Sequence, residues 1–286
     1  IAATIALWQK EAVILTPQKV LQNQYEDNFE FMKIVKGKIN FLCKQLDNEH
    51  DCSLGECNDC EYLPKKSDFR ITNGRGTENE EITQIGNCEK DCTYWEQRKK
   101  GEIASFSVYN YTMFLQTQLN NNSFEEGPKK IRRILICDEA EQLEDQLSSE
   151  LSLILKEKMA KIVSREDLKE QIHNIETSTN IDDIKNIIEN LITEYDERIE
   201  QLEEEMKQFL KKMDRKRIEL LKNKKKLEST KDELKKTFSL MDKDWVVSDI
   251  IRKKRNGNEV LLESVNIEEI AQKLFDQFEH VIFISA

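Results

Sequence analysis

Apolar and polar residues along this chain follow two alternating patterns. Short apolar runs rich in β-branched residues, typical of buried strands, are separated by segments in which apolar residues recur every three or four positions, as in helices. Strands that alternate with helices in this way predict a parallel α/β sheet. The strand-like runs are residues 12–15, the first part of 105–115, 131–138 and 280–286. The nearby helical segments are residues 1–9, 18–36, 95–100 and 267–278.

A much longer helical pattern occupies residues 143–241. Apolar side chains between Ile184 and Phe209 keep three- and four-residue spacing, and charges of both signs fill the other positions, which predicts long antiparallel helices. The segment WVVSDIIRKKRNGNEVLLESV follows. It predicts two strands joined at Asn256 and Gly257, because an Asn-Gly pair favours a tight hairpin turn.

Composition narrows the class of protein. The chain has 286 residues, enough for about two domains, and it combines 35% charged residues with only 8 Gly and 3 Pro, which favours a helix-rich protein over a disordered one. The net charge of -11 excludes a uniformly basic nucleic-acid coat but not a local basic groove. No apolar run reaches about 18 residues, and we expect no targeting signal and no membrane partner.

Two carboxylates end one of the strand-like runs. Asp138 and Glu139 directly follow ILIC, and ligands bind at the carboxyl ends of strands in open α/β sheets. An Asp in that position can hold Mg²⁺, and a neighbouring Glu can activate a water for attack on a phosphate. An equally weighted interpretation is that both acids only begin the next helix, where negative charge suits the helix dipole.

Several segments together resemble the XPD/DinG family of iron-sulfur superfamily 2 DNA helicases. ILICDEAEQLED resembles the DEAH box, AVILTPQKVLQNQY resembles motif Ia, and VIFISA resembles the start of motif III. GKINFLC and CTYWEQRKKGEIASFSVYNYTMFL resemble the segments that enter and leave the cysteine-ligated cluster. The resemblance is spread along the whole chain, and the ordered set is more specific than any one of its members.

The resemblance implies roles for named residues. Asp138 would coordinate Mg²⁺, Glu139 would activate the hydrolytic water, and Ser285 would belong to the motif that couples ATP hydrolysis to movement. Five residues would lie near the backbone of one DNA strand: Thr16, Gln18, Gln24, Asn110 and Tyr111. From the residues alone, a helix N-cap at Thr16 and simple packing of Tyr111 are nearly as well supported.

Two departures from the family pattern matter. The fourth residue of the box is Glu141 where the family usually has His, which puts the link between the nucleotide and motif III in doubt. No G-x-x-x-x-G-K-[ST] phosphate loop occurs in the sequence. We therefore expect a chain truncated at both ends, which by itself would not hydrolyse ATP.

Six of the seven cysteines lie between residues 37 and 95, where polar residues show little periodicity. A segment this long needs another source of order than a hydrophobic core, and thiolate bonds to a metal can supply it. Zinc and an iron-sulfur cluster both accept four thiolates, so the residues alone leave the metal open. The absence of secretory features predicts an intracellular protein.

The resemblance implies a structural 4Fe-4S cluster in this segment. Cys43 would be the first ligand and Cys92 the last, with Cys52 and Cys57 between them as in the DinG branch. Cys57 and Cys60 would match the XPD branch instead, so Cys60 and Cys88 remain substitutes. The seventh cysteine, Cys137, is expected in the core. Candidate DNA contacts nearby are Lys65, Lys66, Arg70, Tyr94, Trp95, Arg98, Lys99 and Lys100, although a solvated charged surface explains any single lysine better.

The expected fold class is α/β: a partial RecA-like parallel-sheet helicase motor domain with a cysteine-rich iron-sulfur insert and a long all-helical Arch-type insert. Motor segments would be residues 1–40 and 96–145, followed by a return hairpin, helix and strand at 244–286. The cluster insert would be residues 41–95, and the Arch-type insert residues 146–243. In the insert, the basic stretch 215–226 is the candidate DNA-facing surface, and His173 is expected at the surface rather than in a metal site.

The leading hypothesis is part of an ATP-dependent helicase that translocates on single-stranded or forked DNA, 5′ to 3′ as in the family, as a monomer. ATP, Mg²⁺ and the 4Fe-4S cluster would be its ligands. The alternatives are a zinc-binding helical scaffold without ATPase activity and a degenerate helicase-like protein. The expected location is the cytoplasm of a prokaryote or viral host, or the nucleus in a eukaryote.

Overall fold

The structure is a computed structural model that describes residues 1–55, 60, 62–63, 69–84, 92–120, 133–208, 215–253 and 257–285. The chain forms two compact units. The first contains Ile1–Leu147 and Ile270–Ala286, and the second contains Ser148–Glu269.

A five-stranded sheet forms the centre of the first unit. Its strands are β1 (Ala12–Thr16), β2 (Lys33–Val35), β5 (Phe106–Asn110), β6 (Ile134–Asp138) and β10 (His280–Ile284). They lie in the order β10-β6-β1-β5-β2, and every neighbouring pair is parallel. The predicted parallel α/β sheet is therefore confirmed, and all five carboxyl ends meet at one edge.

Helices precede or follow these strands along the chain. They are α1 (Ala2–Gln9), α2 (Lys19–Asn28), α3 (Thr93–Ile103), α4 (Tyr111–Asn120), α5 (Leu143–Glu150) and α10 (Ile267–Phe275). The alanines Ala2, Ala3 and Ala6 of α1 share one core cluster with Ile14 and Ile136. Because their side chains are small, α1 can approach the sheet closely and cover the middle of its strands.

The predicted helix over residues 18–36 is wrong in its second half. Helix α2 ends at Asn28 and the chain then turns extended at Phe29. Ile34 and Val35 are buried and pair with Val108 and Tyr109 of β5. The apolar residues at 33–35 suit either a helix or a strand. They form a strand because they pair with β5, and a local sequence pattern does not show that pairing.

The cysteine-rich segment contains a hairpin that the sequence analysis missed. Its strands are β3 (Phe69–Asn73) and β4 (Glu81–Gln84). The buried carboxylate of Glu80 accepts hydrogen bonds from the backbone N–H of Gly76 at 2.8 Å and of Ser105 at 2.7 Å. Ser105 directly precedes β5, so Glu80 ties this hairpin to the start of a central strand.

The second unit pairs helices with a three-stranded antiparallel sheet in the order β7-β9-β8. The strands are β7 (Ser152–Lys156), β8 (Trp245–Lys253) and β9 (Gly257–Ser264). The predicted hairpin is confirmed, since β8 and β9 pair up to Lys253 and Gly257, although Asn256 lies outside the described residues. The prediction that residues 146–243 are all helical is wrong at β7. There Leu153 and Leu155 are buried, and the strand pairs with β9.

The helices of this unit are α6 (Glu157–Ile162), α7 (Glu166–His173), α8 (Ile181–Lys207) and α9 (Arg215–Leu240). Lys224 of α9 pairs with Glu203 of α8. Seven residues further along α9, Lys231 pairs with Asp196, which lies seven residues before Glu203 on α8. Helices α8 and α9 therefore run antiparallel, as predicted. In the part of the chain that the structure describes, no helix has the length and apolar character needed to cross a membrane.

Candidate functional site

The carboxyl edge of the five-stranded sheet brings together residues that are far apart in sequence. The parallel register pairs Ile284 with Asp138 on one side of β6. On the other side, Leu15 pairs with Cys137, and Thr16 pairs with Asn110. The predicted residues Asp138, Ser285, Thr16 and Asn110 therefore end or directly follow four adjacent strands of one edge.

The backbone after β6 is strained. Glu139 has φ 56° and ψ 51°, in the left-handed region that residues with a side chain rarely adopt. A short 3-10 turn, Ala140–Gln142, follows and leads into α5. Left-handed geometry costs about 1–2 kcal/mol for an L-residue, and such strain is concentrated at ligand sites. A simple helix start does not require this turn, which weakens the interpretation that the two acids only begin α5.

Two tyrosines hold Asp138 at this edge. The hydroxyl of Tyr25 on α2 donates to Oδ2 of Asp138 at 2.9 Å, and the hydroxyl of Tyr111 donates to the main-chain carbonyl of Asp138 at 3.0 Å. Burial raises the pKa of both tyrosines, and the charge of Asp138 raises it further. Both hydroxyls are therefore protonated at neutral pH, and the Asp138 carboxylate is held in one orientation by a donor.

The half-buried Glu139 and the exposed Glu141 form an acidic pair beside Asp138. The hydroxyl of Ser285 donates to Oε2 of Glu141 at 2.7 Å, and this hydrogen bond lowers the pKa of Glu141. Hydrogen bonding with Glu141 and the charge of that residue raise the pKa of Glu139. Of the two carboxylates, Glu139 is therefore the better base. Although Glu141 stands where the resembled family usually has His, its hydrogen bond with Ser285 still links this turn to the end of β10.

Only two of the five predicted DNA contacts are well exposed. Gln18 precedes α2 and Gln24 lies on it, and both are open to solvent. Thr16 is fully buried, and its hydroxyl donates to the carbonyl of Gln18 at 3.2 Å. The alternative of an N-cap at Thr16 is therefore wrong, because α2 begins after Gln18 without a capping side chain.

The remaining two predicted DNA residues stabilise local structure. The side-chain oxygen of Asn110 accepts from the backbone N–H of Met113 at 2.8 Å, which caps the start of α4. Tyr111 is fully buried. Packing of Tyr111, the alternative considered from sequence, describes its ring well, while its hydroxyl fixes the backbone of Asp138. Their contact with DNA stays a prediction.

Two further residues of α2, which the sequence did not predict, belong to this region. Tyr25 contacts Asp138, and the buried Gln22 donates from Nε2 to the carbonyls of Val35 at 3.3 Å and Val108 at 3.4 Å. Gln22 and Tyr25 are three residues apart on α2, so they share one face of the helix. Both residues lie inside the segment that resembles motif Ia, where this spacing is visible in the sequence.

Three of the predicted metal ligands are buried in the cysteine-rich segment. Cys43 and Cys92 are each 4% exposed, Cys52 is fully buried, and the sulfurs of Cys52 and Cys92 are 3.8 Å apart. A side chain at Gly55 would come within 2.7 Å of the sulfur of Cys43. Glycine therefore leaves room at this thiol that any other residue would fill.

The chemistry of these thiols suits metal ligation. Sulfur is the preferred donor for zinc and for iron-sulfur clusters, and the five described cysteines form no disulfide. Cys57 and Cys88 lie outside the described residues, and Cys60 is half-buried. Among the described residues, no three His, Cys, Asp or Glu side chains form a group that could hold a metal ion. The structure brings Cys52 and Cys92 together, and the cluster itself stays a prediction.

The basic residues of α3 are mostly paired. Arg98 and Lys99 lie over the ring of Trp95, 5.3 Å and 5.7 Å from its centroid, and both pair with Glu102. Lys100 pairs with Glu96, and Tyr94 is buried and accepts from Arg98. These contacts favour the interpretation of a charged surface. Arg70 is exposed, and Lys65 and Lys66 lie outside the described residues.

Three further predictions concern a core cysteine, a surface histidine and the basic stretch of the second unit. Cys137 is fully buried, as expected, and burial raises the pKa of its thiol to about 12. His173 is exposed and contacts the carboxylate of Glu157 through Nδ1 at 2.8 Å. Within the basic stretch 215–226, Lys224 is buried and paired with Glu203 and Glu228. A DNA-facing role of that stretch stays a prediction.

One comparison with known proteins identifies a related region. The DEAD_2 family model matches residues 27–159, slightly less than half of the chain. The matched region includes Asp138, Glu139, Glu141 and all seven cysteines, but not Thr16 or Ser285. It supports a DEAD/DEAH-type helicase N-terminal region. A search of curated proteins found no match to the chain.

Proposed function

We propose that this chain is the N-terminal motor region of an ATP-dependent DNA helicase of the XPD/DinG type. The observation that carries the proposal is the alignment of Asp138, Ser285 and Thr16 at the carboxyl ends of three neighbouring strands. The DEAD_2 match supports the helicase-related part of the proposal. DNA as the nucleic acid, unwinding, and the iron-sulfur cluster go beyond that match and are supported by the motifs.

In the nucleotide half of the proposed reaction, Asp138 would hold Mg²⁺ with the oxygen that Tyr25 does not occupy. The ion would neutralise charge on the phosphates of ATP. Glu139, the better base of the acidic pair, would accept a proton from the attacking water. Beside it, the hydrogen bond from Ser285 lowers the pKa of Glu141.

In the nucleic-acid half, Gln18 and Gln24 are the exposed residues of the motif Ia region. Their amides can donate hydrogen bonds to phosphate oxygens, contacts that position a strand without reading its sequence. Because amides carry no charge, they release no counterions. We therefore expect these two residues to contribute to affinity for single-stranded DNA without changing its dependence on salt.

The proposed cluster would be structural. Cys43, Cys52, Cys57 and Cys92 would hold a 4Fe-4S cluster that orders the segment around the β3–β4 hairpin. The buried carboxylate of Glu80 already ties that hairpin to the start of β5, so a rigid insert would keep a fixed position on the motor unit. As in the family, translocation would run 5′ to 3′ on single-stranded or forked DNA, with a monomer as the active species.

The test is ATP hydrolysis by the full-length protein with single-stranded DNA present. Glu139→Gln is expected to lower the rate by about 10²–10⁴-fold, the contribution of a general base, and Asp138→Asn to weaken the response to Mg²⁺. Glu144→Gln is the matched control, since Glu144 is an exposed acid one turn further along. Hydrolysis that survives Glu139→Gln unchanged would contradict the proposal.

The DNA half has its own test. Gln18→Ala and Gln24→Ala together are expected to weaken binding of oligothymidylate by about fivefold or more, since each lost hydrogen bond contributes about 0.5–1.5 kcal/mol. The slope of affinity against salt should stay unchanged. Gln272→Ala, at an exposed position on α10, is the control. If the double variant and the wild type bind oligothymidylate with equal affinity, then α2 is not part of the DNA-binding surface.

A further inference from the structure

Helix α2 connects the two halves of the proposed function. It begins at Lys19, directly after Gln18, and it carries Gln24 on its exposed side. On its other side, Tyr25 reaches Asp138 with a hydrogen bond of 2.9 Å. One short helix therefore bears both the exposed residues proposed to contact DNA and a donor to the carboxylate proposed to hold Mg²⁺.

The helix is anchored between these two ends. Gln22 is 1% exposed, and its amide donates to the carbonyls of Val35 in β2 and Val108 in β5. From Lys19 to Tyr25 the helix rises about 9 Å, and it contains no Gly or Pro at which it could bend. A displacement at Gln18 or Gln24 is therefore carried to Tyr25 by a rigid element with a fixed point at Gln22.

Tyr25 is suited to transmit such a displacement. Its ring packs against Phe29, with 6.2 Å between the ring centroids, so the side chain follows the helix. Its hydroxyl donates directly to Oδ2 of Asp138 at 2.9 Å. A hydrogen bond of this kind weakens steeply with distance and angle. Small movements of α2 therefore change how firmly Asp138 is oriented.

We propose that Tyr25 is a positioning residue through which DNA bound along α2 strengthens nucleotide binding at Asp138. The inference rests on the proposed function. DNA held by Gln18 and Gln24 would restrict the motion of α2 and keep the Tyr25 hydroxyl on Oδ2. The other oxygen of Asp138 would then be available to hold Mg²⁺. Coupling between two binding sites is reciprocal, so nucleotide must strengthen DNA binding by the same factor.

The experiment measures this factor from both directions in the full-length protein. The affinity for adenylyl imidodiphosphate with Mg²⁺ is measured with and without saturating oligothymidylate, and the affinity for oligothymidylate with and without saturating nucleotide analogue. In the wild type, both ratios are expected to be equal and about fivefold or more. In Tyr25→Phe, which keeps the ring and removes the donor, both ratios are expected to fall to nearly one.

Tyr195→Phe is the matched control. Tyr195 is a buried tyrosine of the second unit whose hydroxyl donates to the carbonyl of Met159 at 3.4 Å, so this variant also loses one hydroxyl and should keep both wild-type ratios. A general loss of stability would affect both variants, whereas a coupling role affects only Tyr25→Phe. Matching circular dichroism spectra of the three proteins check that each is folded.

The outcomes separate the two proposals. If the wild type binds both ligands but Tyr25→Phe keeps the wild-type ratios, or if the wild-type ratios are already one, the inference about Tyr25 is overturned and the proposed function stands. If the wild type binds neither oligothymidylate nor the nucleotide analogue, the proposed function is overturned and the inference with it.

Discussion

The hydroxyl of Ser285 donates a hydrogen bond to Oε2 of Glu141 at 2.7 Å, across 144 positions of sequence. This contact joins the residue after β10 to the turn after β6, which also holds Glu139. A helicase must link the state of its nucleotide to movement of the chain segments around it. In this protein, the Ser285–Glu141 hydrogen bond connects the two motifs proposed for those tasks.

Removal of this hydrogen bond is expected to uncouple hydrolysis from unwinding. Ser285→Ala should lower the number of base pairs unwound per ATP hydrolysed by about two- to fivefold, the modest effect expected for one exposed hydrogen bond, with unchanged affinity for single-stranded DNA. The measurement compares unwinding of a forked duplex with phosphate release in the same full-length protein. Ser285→Thr keeps the hydroxyl and should behave as the wild type. Equal coupling in Ser285→Ala and Ser285→Thr would exclude a role for the hydroxyl.

The cysteine-rich segment gives a second prediction, on metal content. Cys52→Ser and Cys92→Ser should each remove bound iron and the visible absorption of the anaerobically purified protein, because a cluster needs all its thiolates. Cys137→Ser, at a buried cysteine in β6, should retain the metal. Iron, zinc and sulfide are measured by elemental and chemical analysis. A colourless wild-type protein that contains zinc would contradict the cluster and favour the zinc-binding alternative.

Gln22 gives a prediction on stability. Gln22→Met keeps the side-chain volume but leaves the carbonyls of Val35 and Val108 without this donor. The free energy of unfolding is expected to fall by about 1–3 kcal/mol, the penalty for buried polar groups that lose a partner. Urea denaturation followed by circular dichroism measures it. Gln24→Met, at an exposed position of the same helix, should change stability by less than about 0.5 kcal/mol; a comparable loss there would show that the amide of Gln22 has no special role.

The second unit gives a prediction on pH. Burial alone would raise the pKa of Glu157, but the backbone N–H of Asn258 and the ring of His173, both at 2.8 Å, outweigh burial, and the charge of Lys169 adds to them, so the pKa lies below its usual range. Because the folded-state pKa is lowered, this stabilisation is present above the ordinary carboxyl pKa of about 4.3 and is lost as pH falls through the folded-state pKa.

Glu157→Gln should therefore reduce the loss of stability as pH falls below about 4.3, and it should lower stability at neutral pH by about 1–3 kcal/mol. Thermal unfolding across this pH range, followed by circular dichroism, gives both quantities. Glu166→Gln, at an exposed acid on α7, is the control and should keep the wild-type pH dependence. An unchanged acid dependence in Glu157→Gln would show that other carboxylates control it.

Local pattern predicted much of the first unit. The runs at β1, β5, β6 and β10 were visible because a buried parallel strand is a short apolar segment between helical ones. The hairpin of β8 and β9 was visible at Asn256 and Gly257, where the turn chemistry is local. Residues 33–35 and 152–156 were assigned to helices, because the strands that they pair with lie far away in the sequence.

In the candidate site, too, local sequence properties could be predicted and long-range contacts could not. The sequence by itself determined which carboxylates, thiols and strand ends could carry chemistry, because residue type and spacing along a strand or helix are local properties. Only the tertiary structure decided that Tyr25 holds Asp138 across 113 positions, that Cys52 approaches Cys92 across 40, and that Thr16 and Tyr111 are buried. The physical reason is that such contacts depend on strand order and helix packing, which arise from the whole buried core and from no single segment.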